Sequence, residues 1–201
     1  MIKNIIFDFG DIFINLDKDG LHDAVQSLGI KEWNSELNAL NEAFEKGKIS
    51  ENSFLSGIQK HTSNKNLEEI KSSWCTILGD FPLRRLEFLE QLATKNYRLF
   101  LLSNTDAIHI AHFQKTVGEA FYQRFFKSFE KVYFSFEMGL RKPQAEIYRQ
   151  VLSENHLIAS ETLFVDDKKE NTDAAEKLGI QVWNLQVGKE DVVDLFKKVN
   201  L

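Results

Sequence analysis

The fold of this chain is decided by the stretch Ile5-Ile6-Phe7-Asp8-Phe9-Gly10. A short apolar run that ends in a carboxylate is typical of a buried strand in a parallel sheet. Ligands of open α/β sheets bind in the crevice at the carboxyl ends of the strands, where Asp8 would lie. Gly10 would let the backbone turn sharply and approach a ligand closely. The stretch predicts either a carboxylate nucleophile or metal ligand, or an aspartate that only caps a turn.

Similar apolar runs recur further along the chain, at residues 97–102, 132–134, 162–165 and 180–183. Segments whose apolar residues have helical spacing separate them. Strands that alternate with helices predict an α/β chain with a doubly wound parallel sheet and right-handed crossovers.

The first connection is far longer than a strand–helix–strand unit requires, since such a unit needs only about 30 residues or somewhat more. Four amphipathic segments fill it, and none of them has the pattern of a strand. We therefore predict a core domain, residues 1–16 and 82–201, and an inserted helical cap domain, residues 17–81. A cap at this place would cover the carboxyl edge of the sheet, exclude water and select substrates.

Composition excludes several classes of function. The chain has 201 residues, of which 43% are hydrophobic and 27% charged, as in a globular protein. With a net charge of −5 and no long run of Lys or Arg, no nucleic-acid groove is expected. No apolar run approaches the ~20 residues of a membrane span, and Asp8 comes too early for a signal peptide. The single cysteine, Cys75, rules out an internal disulfide and favours a cytoplasmic location.

Polar residues follow the strands at the points where each strand ends. In chain order they are Asp8, Ser103 with Asn104, Lys142, and Asp166-Asp167 with Asn171. Parallel strands would gather all of them at one edge of the sheet. Close carboxylates repel one another unless they are neutralised. Mg2+ would neutralise them, because it binds oxygen and needs few protein ligands besides water and substrate phosphate.

Phosphoryl transfer explains this set of residue types. Asp8 could ligate the metal and attack phosphorus, since Asp can form an aspartyl-phosphate. Lys142 would neutralise phosphate charge, and Ser103 would donate a hydrogen bond to a phosphate oxygen. Each residue also has a simpler explanation: Ser103 as a helix cap, Lys142 as a surface lysine, and residues 166–167 as a helix start. Four such coincidences at successive strand ends favour catalysis.

Taken together, these motifs resemble the four motifs of the haloacid dehalogenase superfamily. They are Asp8 after apolar residues, Ser103 after Leu101-Leu102, Lys142-Pro143, and Phe164-Val165-Asp166-Asp167, in the same order along the chain. The inserted helices resemble the C1 cap of subfamily I. Residues 44–50 and 138–143 are also similar to family segments, so the resemblance covers nearly the whole chain.

The resemblance implies a Rossmann-like core and Mg2+-dependent phosphatase activity on a small phosphorylated metabolite, through an aspartyl-phosphate. Carried over residue by residue, it assigns catalysis to Asp8, Ser103 and Lys142, and phosphate binding to Ser103, Asn104 and Lys142. It assigns metal binding to Asp8, the backbone carbonyl of Gly10 and Asp167, with Asp166 and Asn171 as supporting residues.

The chain departs from the family pattern at Gly10. The family usually has a second Asp at that position, which protonates the leaving group and then activates water, and such help is worth ~10²–10⁴-fold. One branch of the family has the same Asp-x-Gly form. Asp11 or Asp17 would be the substitutes on this chain, and a leaving group that needs little protonation, such as an anomeric or acyl phosphate, would suffer less.

Two other functions compete with the phosphatase. A cofactor-free dehalogenase would use Asp8 on carbon, but it would not need the acidic pair 166–167. A non-catalytic phosphate-binding protein would explain Gly10. A receiver domain also uses Asp, Ser or Thr, and Lys around Mg2+, but its acidic pair follows the first strand.

Overall fold

The computed structural model describes residues 1–199 and contains a five-stranded sheet. Its strands are β1 (Asn4–Phe7), β2 (Arg98–Ser103), β3 (Lys131–Phe134), β4 (Thr162–Asp166) and β5 (Gln181–Asn184). Their order across the sheet is β3-β2-β1-β4-β5, and all neighbouring strands are parallel. The predicted parallel α/β architecture is confirmed, with β1 at the centre of the sheet.

Helices connect the strands. Four lie between β1 and β2 at the start of that connection: α1 (Lys18–Ser27), α2 (Ser35–Glu45), α3 (Glu51–Gln59) and α4 (Leu67–Cys75). The others are α5 (Leu83–Ala93), α6 (Ala107–Val117), α7 (Glu119–Lys127), α8 (Ser135–Met138), α9 (Ala145–Glu154), α10 (Lys169–Glu176) and α11 (Leu195–Lys198), with 3-10 turns at Ala159–Glu161 and Val192–Asp194. Within residues 1–199, no helix combines the length and apolar character needed to cross a membrane.

Apolar clusters cover both faces of the sheet, because successive strand residues point to opposite sides. Phe7 of β1 packs in one cluster with Leu86 and Leu89 of α5. Its neighbour Ile6 packs in the other, with Ile147 of α9. Helices on both sides therefore hold β1 rigidly, which fixes the point at which the chain leaves the sheet.

The helices α1 to α4 pack around an apolar cluster of their own, which includes Phe44, Phe54 and Trp74. Ile108 of α6 joins this cluster from the side of the sheet. Each of the four helices begins at a residue whose side chain accepts a backbone N–H of the first turn: Asp17, Asn34, Ser50 and Asn66. Such caps satisfy N–H groups that the helix itself leaves unpaired.

Candidate active site

The carboxyl ends of the three central strands bring predicted site residues to one rim of the sheet. Asp8 follows β1 directly, Ser103 ends β2, and Asp166 ends β4. β1 pairs with β2 on one side and with β4 on the other. Asp8 therefore leaves the sheet between the other two strand ends, at the edge where open α/β sheets bind ligands.

Lys142 reaches this rim from the loop between α8 and α9. Its side chain is 1% exposed, and its Nζ donates to Oδ1 of Asp8 at 2.6 Å, to Oδ2 of Asp166 at 2.7 Å and to the carbonyl of Leu102 at 2.8 Å. An ammonium has three N–H groups, so all of them are used. Burial acts to lower the pKa of Lys142, but attraction to Asp166 and Asp8 outweighs it and raises the pKa.

Each carboxylate at the rim disfavours the ionised form of its neighbours. Burial raises the pKa of Asp8 to about 7; Lys142 acts against this rise, while the charges of Asp166 and Asp167 add to it. The pKa of Asp167 is also raised, by burial and then by the charges of Asp166 and Asp11. A positive charge delivered here would favour the ionised form of both groups.

The orientation of Asp166 is fixed by several hydrogen bonds besides that from Lys142. Asn171 donates from Nδ2 to both carboxylate oxygens at 3.0 Å, and the backbone N–H of Lys168 donates to Oδ1 at 2.8 Å. Asp166 is also fully buried. Its carboxylate is therefore held in place as the partner of Lys142.

Asn104 holds the backbone of Lys142. Its Oδ1 accepts from the N–H of Lys142, and its Nδ2 donates to the carbonyl of Lys142, both at 2.9 Å. These bonds engage both polar atoms of the amide and fix the loop that carries the ammonium. A direct contact between Asn104 and phosphate stays a prediction.

The position of the missing acid–base carboxylate is occupied by Gly10, which lines a cavity at the rim. A Cβ at Gly10 would lie 2.9 Å from Cδ1 of Leu16. Asp11 is buried, and its carboxylate accepts from the N–H of Leu16 at 3.0 Å and pairs with Lys18 at 2.7 Å. The carboxylate of Asp17 caps α1. Both proposed substitutes are therefore engaged in contacts of their own.

The donor set at the rim fits a magnesium ion. Asp8, Asp166 and Asp167 each offer a carboxylate oxygen, and these atoms all lie within 4.8 Å of one another. Oδ1 of Asn171 is buried and accepts no hydrogen bond within residues 1–199. A set made only of oxygen atoms with excess negative charge suits a hard divalent cation. The structure thus brings Asp8 and Asp167 together, as the sequence predicts.

A cavity of about 360 Å³ lies between the rim and the inserted helices. On the side of the sheet it is lined by Gly10, Ser103 and Asn104, and on the side of the inserted helices by residues that include Asn41 and Trp74. The opening above the strand ends is therefore enclosed by the segment that the sequence predicts as a cap.

Two residues near this cavity, Asp106 just before α6 and His109 within α6, have no role in the sequence analysis. Oδ2 of Asp106 lies 3.0 Å from Nδ1 of His109 and accepts from Nε1 of Trp74 at 3.0 Å. Nε2 of His109 lies 3.0 Å from the carbonyl of Trp74. Burial acts to lower the pKa of His109, but the Asp106 carboxylate outweighs it and raises the pKa. The three residues join α4 to α6. The sequence signal that could have indicated this link is the aspartate three residues after Ser103.

A second link between the inserted helices and the core joins Glu45 to Arg141. Oε2 of Glu45, at the end of α2, lies 2.8 Å from Nη2 of Arg141, the residue before Lys142. The sequence analysis marks both segments by their likeness to the family, but it does not predict that they touch. The pair couples the position of α2 to the loop that carries the ammonium.

A parallel α/β sheet with a rim of carboxylates at its carboxyl edge defines the class of this site, and comparison with known proteins gives its family. A family model described as haloacid dehalogenase-like hydrolase matches residues 5–185. The chain belongs to the haloacid dehalogenase-like hydrolase family. The predicted family and the predicted class of enzyme, a hydrolase, are confirmed.

Two of the relatives with assigned activities are phosphatases. The chain is 29% identical to a D-ribitol-5-phosphate phosphatase of Bacteroides thetaiotaomicron, over 94% of this chain and 95% of that protein. It is 27% identical to the sesquiterpene phosphatase astK of Aspergillus oryzae, over 89% of this chain and 87% of that protein. Among solved structures, the magnesium complex of the HAD family enzyme bt-2542 from Bacteroides thetaiotaomicron matches with a TM-score of 0.85 and 31% identity, covering 98% of this chain and 99% of that one.

Proposed function

We propose that this protein is a Mg2+-dependent phosphatase that hydrolyses the phosphate monoester of a small molecule through a phosphorylated Asp8. The observation that supports this most strongly is the buried ammonium of Lys142, bonded to both Asp8 and Asp166 at adjacent strand ends. Phosphatases among the relatives support the same class of reaction. A dehalogenase is disfavoured, because it would not need the acidic pair 166–167.

Magnesium would be held by Asp8, the backbone carbonyl of Gly10 and Asp167, with Asp166 and Asn171 supporting them. The bound ion would supply positive charge that stabilises the phosphate oxygens and keeps the carboxylates ionised. The magnesium complex of the structural neighbour bt-2542 supports this choice of metal.

The protein residues would carry out two successive displacements at phosphorus. A carboxylate oxygen of Asp8 forms a bond to phosphorus while the ester P–O bond breaks, and the alcohol leaves with a proton taken from water. Water then attacks phosphorus, which releases inorganic phosphate and restores Asp8. Ser103 and Lys142 would bind the phosphoryl oxygens, and Asn104 would keep the Lys142 loop in place.

The inserted segment, residues 17–81, would act as a cap that encloses the substrate. Its own apolar cluster and its contacts across the cavity support a separate domain on the core formed by residues 1–16 and 82–201. The partner would be a small phosphorylated metabolite. The cytoplasmic location stays a prediction from the single cysteine, Cys75, which is buried.

Hydrolysis of p-nitrophenyl phosphate tests the proposal. We expect turnover with Mg2+, loss of turnover with a chelator, and loss of turnover in Asp8→Asn. Asp23→Asn, an exposed change on α1, is the matched control and should retain full activity. Turnover that survives chelation would contradict the proposal. Phosphate binding without turnover on a panel of monoesters would instead favour the non-catalytic alternative, for which the missing carboxylate at Gly10 is the argument.

A further inference from the structure

The wall of the cavity opposite the strand ends is apolar. Leu21 and Val25 of α1, Trp33 of the next loop, Trp74 of α4, and Ile77 and Leu78 beyond it all line this side. The indole N–H groups of the two tryptophans point to other partners: Trp33 donates to Asn38 and Trp74 donates to Asp106, both at 3.0 Å. The two rings stack on each other with their centroids 5.8 Å apart, so their N–H groups are not offered to the cavity.

Two polar side chains on the remaining wall lie close to partners within the protein. Glu45 is paired with Arg141 at 2.8 Å. His109 has an acceptor on each side of its ring, Asp106 and the carbonyl of Trp74. Because both ring nitrogens of His109 are engaged, His109 is poorly placed to receive hydroxyl groups from a substrate.

Asn41 also lies on this wall, where Oε2 of Glu45 accepts no hydrogen bond within residues 1–199 despite its ion pair. It lines the cavity from α2, and its Oδ1 is buried without a hydrogen-bond partner among residues 1–199. An amide can both donate and accept, so it could serve one polar group of a substrate. A polyol would still place several hydroxyls against the apolar wall, where they would lose their hydrogen bonds to water.

We propose that the preferred substrate is the phosphate monoester of an apolar alcohol, with its hydrocarbon body against Leu21, Val25 and Trp33. This inference rests on the proposed phosphatase function. The volume of about 360 Å³ is at the small end of small-molecule sites, which limits the body to a modest size. By their names, the two relatives act on substrates of opposite polarity. The lining of the cavity in this chain is therefore the basis for choosing between a polar and an apolar substrate.

A comparison of three phosphorylated compounds, two alkyl phosphate esters and one acyl phosphate, tests the inference. Octyl phosphate and D-ribitol 5-phosphate both release a primary alcohol, so they differ mainly in the polarity of the body. Acetyl phosphate has a body too small to depend on the apolar wall and reports the chemistry alone. We expect kcat/KM for octyl phosphate to exceed that for D-ribitol 5-phosphate by at least about ten-fold, because each buried methylene adds to binding.

The variant Leu21→Asn separates the wall from the chemistry. We expect it to lower kcat/KM for octyl phosphate about ten-fold more than kcat/KM for acetyl phosphate, and an unchanged urea-unfolding transition shows that the variant is folded. Asp23→Asn, exposed on the same helix, is the matched control and should change neither rate. An equal loss with both compounds in Leu21→Asn would overturn the inference.

The outcomes also separate this inference from the proposed function. If acetyl phosphate is hydrolysed but D-ribitol 5-phosphate equals or exceeds octyl phosphate, the inference fails and the phosphatase stands. If none of the three compounds is hydrolysed with Mg2+, the proposed function fails and the inference fails with it.

Discussion

The charge of Lys142 balances two carboxylates that would otherwise be buried without a cation. We expect Lys142→Met to abolish phosphatase turnover and to destabilise the fold by about 3–5 kcal/mol, because removal of one partner leaves buried charge uncompensated. Turnover and urea unfolding measure the two effects. Lys169→Met is the matched control, since Lys169 pairs with Asp173 at the surface and should change both quantities little. A Lys142→Met variant with full activity would contradict the assigned role.

Gly10 gives a second prediction at the scale of one residue. We expect Gly10→Asp to speed hydrolysis of an alkyl phosphate more than that of an aryl phosphate, by up to about 100-fold, because an alkoxide needs protonation and a nitrophenolate does not. The new side chain would meet Cδ1 of Leu16, the far end of a flexible side chain, so the double variant with Leu16→Ala provides room. Equal effects on both esters would show that position 10 does not supply the proton.

At the scale of elements, Asp106 and His109 tie α6 to α4 through a charge pair that depends on pH. Burial opposes both charges, but mutual attraction outweighs it, so the pKa of Asp106 is lowered from 3.8 and that of His109 is raised from 6.5. The His109 contribution is therefore complete below pH 6.5 and is lost as pH rises through its higher folded pKa. The Asp106 contribution is complete above about pH 4 and is lost as pH falls through its lower folded pKa.

We expect His109→Gln to lower the free energy of unfolding by about 1.5–3 kcal/mol between about pH 4 and 6.5, and by less at alkaline pH. Denaturant unfolding at a series of pH values measures this difference. His22→Gln, a change of an exposed histidine on α1, is the control and should show no such pH dependence. A pH-independent loss in His109→Gln would mean that packing, rather than charge, joins the two helices.

The close packing of the end of α2 against α8 depends on Gly47, which has no side chain. A Cβ at Gly47 would lie 2.0 Å from the carbonyl oxygen of Phe136, at a φ of +62°. We expect Gly47→Ala to move α2 and to lower kcat/KM by up to about 100-fold, because small displacements of a substrate wall are costly. Gly188→Ala has a similar φ of +77° and meets no atom within 4 Å, so it should retain activity. Similar losses in both variants would point to backbone strain alone.

Local patterns in the sequence predict the elements well, and long-range contacts poorly. The apolar runs before Asp8, Ser103 and Asp166 predict the strands, because a strand buried on both faces needs apolar residues throughout. The link between Glu45 and Arg141 depends instead on how the inserted helices sit over the sheet, which no local pattern encodes. The hydrogen bonds between Asn104 and the backbone of Lys142 cannot be predicted from the sequence for the same reason.

At the scale of the whole molecule, the excess negative charge at the site lowers the stability of the metal-free fold. Asp167 has a raised pKa, so the folded protein loses stability as pH rises from 3.8 through that higher value. We expect Asp167→Asn to raise the Tm of the metal-free protein at neutral pH by about 2–4 °C, and to abolish the increase in Tm that Mg2+ produces. Asp23→Asn should change neither quantity. A lower Tm in metal-free Asp167→Asn would contradict the excess of negative charge at the rim.

All three N–H groups of the Lys142 ammonium already have acceptors. In the proposed reaction, one acceptor therefore has to be released before the ammonium can bind another group. While Asp8 is a free anion, it holds one of the three N–H groups. In the proposed reaction Asp8 would become an acyl phosphate, so its negative charge would be lost and the same N–H could turn to the newly attached group. Lys142 would thus shift one hydrogen bond from Asp8 to the phosphoryl group at the step when that group needs positive charge. Hydrolysis of the acyl phosphate would then restore the hydrogen bond to Asp8.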